Sequence, residues 1–299
     1  MTGATGFVGG ATLRHAVGAG WHVRALTRRP QPDQPGVTWI AGALDNPASL
    51  AEMAAGSDVV LHIAGVVNAP TRAAFEAGNA AATGHVIDAA RGADVARFVH
   101  VSSLAAREPG LSDYGWSKER AETLVRASGL DWTIVRPPAV FGPGDTEMLD
   151  LFRMARRGVA LLPPRGRMSA IYVDDLARLL VALAADRDTS IAATYEPDDG
   201  KPTGWSHRGF ARAIGRAVGR SHVSTFAIPL ALLKAGGRID PLVRRGGAKL
   251  TADRARYIAH PDWVATAGAH PPAALWRPEH GTDDALAETV RWYRREGWL

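Results

Sequence analysis

The chain is predicted to fold as an α/β protein, a doubly wound parallel sheet with a smaller C-terminal substrate lobe. Three observations carry this. Apolar segments of strand length alternate with helix-length segments from residue 21 to residue 136, the pattern of parallel strands covered on both faces. The chain opens on a glycine-rich turn, Thr2-Gly3-Ala4-Thr5-Gly6-Phe7-Val8-Gly9-Gly10, that leads straight into a helix-forming stretch. After about Phe141 the alternation stops, and Gly142-Pro143-Gly144 and Leu161-Leu162-Pro163-Pro164 punctuate helices and short strands. The expected organisation is a core over 1–141 and a lobe over 142–299, with 168–185 returning to the core.

A chain of 299 residues buries about three quarters of its unfolded surface, so it needs no metal or disulfide staple. It has no cysteine, which excludes thiol catalysis, Cys-ligated zinc and a disulfide framework. No metal site is expected: Trp205, His207, His260 and Trp263 have no ligand-like spacing and read as structural. No leader-like segment opens the sequence, and the apolar run 176–185 is too short to span a bilayer, so a cytoplasmic location is expected. The net charge is +5. Acidic residues are interspersed through most of the chain and no aromatic-interleaved basic stripe appears, so no nucleic-acid partner is expected.

In order, the glycine turn feeds a helix beginning near Ala11. Strands are expected at 21–27 and 37–41, a helix at 47–55, and a buried strand over 58–65. A helix over about 73–91 precedes the strand 97–103. A helix over 114–127 and a strand over 131–136 complete the alternating part. Ile171 to Leu176 reads as a strand-to-helix turn, and Asp283 or Asp284 as the cap of a last helix that Gly297 stops. One position is short of residues. The first strand of such a sheet is central and about five to six residues long, yet only Met1 precedes the turn. The first strand is therefore read as truncated, with roughly five to eight apolar residues expected before Thr2.

The chemistry starts at the glycines. Gly3, Gly6 and Gly9 let the backbone turn tightly, and the amides opening the following helix point at an anion such as a pyrophosphate. Tyr114 and Lys118 stand four apart on a predicted helix and so share one face. A cation beside a phenol favours the phenolate and lowers its pKa from about 10 toward the range of a general acid/base. Ser103, at the end of the preceding strand, can hydrogen-bond the same substrate oxygen.

With these features in place, the chain resembles the extended short-chain dehydrogenases/reductases, the group that includes the NAD(P)-dependent epimerase/dehydratase family. The likeness runs nearly end to end. Besides the glycine turn and Tyr114/Lys118, it covers His62-Ile63-Ala64-Gly65, the helix segment Asn79 to Thr83, and Arg136 to Gly144. It continues through Tyr172-Val173-Asp174-Asp175 to the tail Thr289 to Tyr293, which closes on Gly297-Trp298.

The resemblance implies a Rossmann-type core and hydride transfer at a secondary alcohol or ketone. Tyr114 would exchange a proton with the substrate oxygen, Lys118 would keep Tyr114 ionisable and bind the nicotinamide ribose, Ser103 would orient the carbonyl, and Asn79 would back Lys118 through water. The dinucleotide would lie on Gly3, Thr5, Gly6, Phe7, Val8 and Gly9, with Arg28, Leu44, Ile63, Ala64, Gly65, Pro137 and Val140 along it and Tyr114 and Lys118 at its nicotinamide end. Thr27-Arg28-Arg29 has no carboxylate where NAD enzymes usually place one, so NADP(H) is favoured and NAD(H) stays open. Members often form homodimers through helices corresponding to 73–91 and 114–127.

Two departures shape the substrate expectation. Gly42-Ala43-Leu44 replaces a common Gly-Asp-Leu, and Ala139 stands where nucleotide-sugar enzymes carry an Asn that contacts the diphosphate. An apolar pocket floor favours a hydroxysteroid-dehydrogenase or reductase type of small-molecule substrate over a nucleotide sugar. A nucleotide-sugar epimerase/dehydratase and a non-catalytic dinucleotide-binding scaffold or assembly factor are the alternatives. In the lobe, Arg153, Arg156 and Arg157 read as a solvated helix face. Phe226 to Arg245 reads first as a core-packing helix with a basic edge, and second as a lid or a peripheral membrane contact.

Overall fold

The computed structural model describes residues 1–233, 235 and 251–299. They form two compact units: Met1–Pro137 with Leu176–Glu196 and Pro271–Arg277, and Pro138–Asp175 with Pro197–His270 and Pro278–Leu299.

The first unit is built on parallel strands: β1 (Val23–Thr27), β2 (Val37–Ala41), β3 (Val59–His62), β4 (Arg97–Val101), β5 (Asp131–Val135) and β10 (Ala193–Tyr195). β1 pairs with β2, and β3, β4, β5 and β10 pair in that order, all parallel. Met1 and Thr2 hold the place between β1 and β3. The Met1 amine donates to Arg24 O, Leu26 N–H donates to Met1 O, and Thr2 bridges His62 in parallel. The order is thus β2–β1–Met1/Thr2–β3–β4–β5–β10, the doubly wound arrangement, which puts the glycine turn at a topological switch point.

The helices of this unit are α1 (Phe7–Gly18), α2 (Pro47–Ala54), α3 (Arg72–Phe75), α4 (Ala82–Gly92) and α5 (Asp113–Arg126). The Asn46 side chain caps α2 with Pro47 in its first turn, and Ser112 caps α5 through Gly115 N–H, as short polar side chains do at helix starts. One core layer joins Leu26, Ile40, Leu50, Met53, Val60, Val86, Phe98 and Ile134. The single helix expected over about 73–91 is instead α3, a π-helical turn Glu76–Ala81 and α4. The extra residue of a π turn re-aims the side chains within it, here including Asn79.

The second unit holds β6 (Ala139–Phe141), α6 (Leu149–Arg156), β7 (Val159–Leu162), β8 (Arg167–Met168), β9 (Ala170–Tyr172) and the start of α7 (Val173–Ala185). It continues with β11 (Trp205–Ser206), α8 (His207–Ala217), β12 (Ser224–Ala227), α9 (Ala252–Ile258), β13 (Asp262–Trp263) and α10 (Thr282–Arg295). β6 pairs with β9 and β7 with β12, both parallel, while β8 lies between β11 and β13. Tyr293 on α10 donates to Asp145 O at 2.6 Å.

Two lobe expectations change. Asp283 and Asp284 do not cap α10: Gly281 stands at its N-cap, and the two carboxylates lie in the first turn, where they meet the positive end of the helix dipole. The stretch from Phe226 does not begin as a core-packing helix. Its first residues end β12, Phe226 is exposed, and Leu232, within the following turn of helix, is exposed too. Lys234, Arg238, Arg244 and Arg245 of that stretch lie outside the described residues. No helix among the described residues is long and apolar enough to cross a membrane.

Candidate active site

The site grows from the carboxyl ends of the first unit's strands. At Met1/Thr2 the chain turns through Gly3, whose φ is +77°. A Cβ there would stand 2.7 Å from Ala64 N, and one on Gly9 would stand 1.8 Å from Gly3 O. Only glycines allow the turn to lie against both the end of β3 and the first turn of α1. At the N-cap, Gly6, α1 has no side-chain cap, and its first turn holds no acidic residue. The opening amides, at Phe7, Val8 and Gly9, are therefore left for an anion. Thr5 and Gly6 are exposed beside them. The donor set fits a dinucleotide pyrophosphate.

A hydrogen-bonded chain ties this turn to the π-helical turn. Thr83 Oγ1 donates to Asn79 O at 2.7 Å, so its oxygen is left to accept from His62 Nε2, 3.0 Å away. His62 Nδ1 is then the acceptor for Thr2 Oγ1 at 2.7 Å, and Thr2 Oγ1 in turn accepts from Ala64 N–H. This ordering requires a neutral imidazole. Burial, with Lys118 and the terminal amine nearby, lowers the His62 pKa from 6.5 to about 3. His100 stacks on it at 5.3 Å and is held well below its ordinary value by burial and by Lys118. Neither His100 ring nitrogen has a partner among the described residues.

Asn79 Nδ2 donates to Val66 O and Ser117 Oγ, and its Oδ1 accepts from Val66 N–H. Ser117 Oγ in turn donates to the Tyr114 backbone carbonyl at 2.8 Å. The Asn79 amide is thus spent on holding the loop after β3 and the first turn of α5.

Tyr114 and Lys118 lie one turn apart on α5. The Tyr114 ring is half-buried and packs 6.1 Å from Phe75. Lys118 is buried, and its Nζ donates to Val101 O at 2.8 Å. Burial lowers its pKa from 10.5 to about 8, against the opposing pull of Glu122. A Cβ on Gly65 would stand 3.6 Å from Lys118 Nζ and 2.9 Å from Asn79 Oδ1. The small-residue end of β3 and the ammonium therefore form one wall.

Ser102 and Ser103 part company at the end of β4. Ser102 Oγ donates to the Glu122 carboxylate at 2.6 Å. Ser103 Oγ accepts from Ala105 N–H and, among the described residues, donates to nothing. The turn after it, Leu104–Arg107, is anchored by Leu104 N–H to Pro137 O. It also packs so tightly on α5 that a Cβ on Gly115 would meet Ala105 O at 2.5 Å. Beneath, Arg136 forks onto Glu122 at 2.7 and 2.8 Å, and Arg126 reaches the same carboxylate at 2.6 Å. Burial alone would raise the Glu122 pKa, but the bonds from Arg136 and Ser102 outweigh it and hold the carboxyl below its usual range.

The structure therefore gathers Gly3, Gly9, Ala64, Gly65, Asn79, Ser103, Tyr114 and Lys118 into one connected constellation. Ile63 sits in the same turn, Pro137 enters through its carbonyl, and Arg28 is exposed just past β1. Leu44, after β2, packs partly on the core, and its carbonyl is bonded to His85. Val140 lies on β6 in the second unit. The sequence reading gave no supporting role to Glu122, Arg136, Thr2 or Thr83, although the last three stand in the segments that carry the resemblance. Glu122 stands one turn beyond Lys118 on the same helix.

The fold and this constellation define an NAD(P)-dependent oxidoreductase of the extended short-chain dehydrogenase/reductase class. The chain belongs to the NAD(P)H-binding family, whose sequence model matches residues 3–187. It is 36% identical to a ceramide reductase of Caulobacter vibrioides, over 100% of this chain and 95% of that protein. It is 28% identical to a 2-alkyl-3-oxoalkanoate reductase of Stenotrophomonas maltophilia, over 88% of this chain and 89% of the relative. Among solved structures, MoeE5 in complex with UDP-glucose and NAD superposes with a TM-score of 0.75 at 22% identity, covering 99% of this chain and 98% of that one. At that identity the likeness concerns the fold.

Proposed function

We propose that the protein reduces a ketone on an apolar, acyl-bearing substrate of the ceramide class, using NADPH. The observation that carries the chemistry is the Tyr114–Lys118 pair on α5, with Lys118 buried against Val101 O and Gly65. Bound NADPH supplies the hydride. Tyr114 gives its phenolic proton to the carbonyl oxygen as negative charge develops there, and Ser103, whose hydroxyl proton has no other described acceptor, donates to the same oxygen. The Lys118 ammonium favours the phenolate left behind. Asn79 and Ser117 are positioning residues that hold the first turn of α5.

The reductase relative, matched over 95% of its length, supports the substrate class, as does Ala139 in place of a polar side chain. The test follows NADPH absorbance with an N-acyl-3-oxosphinganine and a short 3-oxo ester, and follows UDP-glucose by chromatography of the sugar product, because epimerisation and dehydration consume no net NADPH. Turnover with the first alone or best supports the reading. Turnover only with the nucleotide sugar makes the protein an epimerase or dehydratase and ends it.

The preference for NADPH rests on Arg28, exposed past the end of β1 where a 2′-phosphate would be met. One or two charge-assisted bonds, at about 1.5–3 kcal/mol each, correspond to tens-fold discrimination or more. Arg28→Glu should raise the KM for NADPH tens-fold while that for NADH changes little. Equal small changes would remove Arg28 from the cofactor site.

A further inference from the structure

In the second unit, β7 and β12 pair in parallel with Leu161 opposite Phe226, so these two side chains and Val159 stand on one face. That face is bare. Exposures are 37% for Val159, 48% for Leu161, 56% for Phe226 and 62% for Leu232 just after β12, four of the six exposed large hydrophobic side chains among the described residues. In contrast, Ala160 and Leu162, which point the other way, are buried.

The two sequence segments that carry this face are basic, although Arg153 and Arg216 within them pair with Asp150 and Asp283 outside them. The segments 151–173 and 200–233, which carry both strands, hold ten Lys and Arg side chains and no carboxylate, although the whole chain has 35 basic and 30 acidic residues. Arg156 and Arg157 are exposed immediately before β7, and Arg220, four residues before β12, donates to Arg156 O at 2.8 Å. An arginine group therefore stands at the amino ends of both strands.

We infer that this face docks on an anionic lipid bilayer, with Leu161 and Phe226 entering the headgroup–acyl boundary and Arg156, Arg157 and Arg220 meeting the phosphates. Exposed apolar side chains with a basic rim bind such interfaces by adding buried apolar area to attraction for anionic lipid. A second copy fits less well, because an isologous contact would set one arginine group against another. Nucleic acid fits less well too, since the centre of the face is mainly aliphatic and offers a single aromatic ring for base stacking. The surface is argued from its own residues and stands whether or not the substrate is a lipid.

The test uses the full chain without cofactor or substrate. Flotation measures binding to phosphatidylcholine vesicles and to vesicles in which about one third of the lipid is phosphatidylglycerol. Binding should be at least roughly tenfold tighter to the anionic vesicles and should weaken as salt is raised. The double substitutions Leu161→Asp with Phe226→Asp, and Arg156→Glu with Arg157→Glu, should each weaken it at least roughly tenfold. NADPH binding and thermal unfolding should stay at wild-type values. Should the Asp pair unfold the protein, the Arg156→Glu/Arg157→Glu protein decides, since both residues are exposed. Equal binding to the two vesicle types, no binding, or unaffected variants overturn the inference. So does a dimer that the same substitutions dissociate, which would assign the face to a second copy. Binding to single-stranded DNA in place of vesicles would overturn it as well.

Discussion

At the amino end of β4, Arg97 is buried and donates to Asp131 O, Leu183 O, Asp186 O, Thr133 Oγ1 and Ser190 Oγ at 2.6–2.9 Å. At the carboxyl end, Glu122 is equally buried and gathers Ser102, Arg126 and Arg136. Both clusters satisfy a buried charge, which is the condition for keeping one inside a protein. They differ in what lies next to them. Arg97 closes β4, β5, the end of α7 and the approach to β10 into one block. Glu122 underlies Ser103 and Lys118, where one hydroxyl proton and one ammonium remain available for chemistry. The amino ends of β1 and β3 also border a cavity of about 420 Å³, lined by Met1, Trp21, Arg24, Asp58, Ala184 and Arg187. None of the residues assigned to proton transfer lies there. In a parallel sheet the open helix amides converge at the carboxyl ends, so empty space alone does not mark the site.

The sharpest way to break this contrast is at Tyr114. Tyr114→Phe should lower kcat about 10²–10⁴-fold while NADPH binding, read by fluorescence titration, stays near wild type. Unchanged turnover of a confirmed substrate would move the proton transfer to another residue. At the other end the damage should fall on stability. Arg97→Met strands several buried acceptors and should cost about 3–5 kcal/mol in urea denaturation, with turnover per folded molecule unchanged.

The smallest effect separates the two ends by pH. His62 is neutral in the folded protein, with its pKa lowered from 6.5 to about 3 by burial, Lys118 and the terminal amine. Below pH 6.5 the unfolded chain takes up a proton that the folded chain refuses, so stability falls as pH drops from about 6.5 toward 3. His100 adds in the same direction. Equilibrium unfolding followed across that window should show His62→Gln with a shallower slope than wild type. Identical slopes would mean that His62 carries a proton in the fold.

Much of the first unit was legible because its signals are local. Apolar runs broken by turns announce parallel strands, three glycines announce the turn before α1, and the four-residue spacing of Tyr114 and Lys118 puts them on one helix face. Ser103 was legible from its place at the end of β4. The supports were not, because they join residues far apart in sequence: Thr2 with His62 across 60 positions, Arg136 with Glu122 across 14, Ser102 with Glu122 across 20. Nor does composition announce the π turn, since the residues around Asn79 read equally well as ordinary helix.

The lobe divided in the same way. Val159-Ala160-Leu161-Leu162 reads as an apolar strand, but nothing in it says that one face stays bare. The stretch from Phe226 read as a helix packed on a core. Exposure depends on what lies opposite, and that is decided by strand pairing between segments more than 60 residues apart. By itself the sequence determined the parallel α/β layout, the glycine turn before α1 and the placing of Tyr114 and Lys118 one turn apart on α5, since each rests on periodicity or spacing within a few residues. Only the tertiary structure decided that Ser102 is bonded to Glu122, which carboxylate stands near Lys118 and which apolar face is exposed, because burial and hydrogen bonding are properties of neighbours that the chain brings together only when it folds.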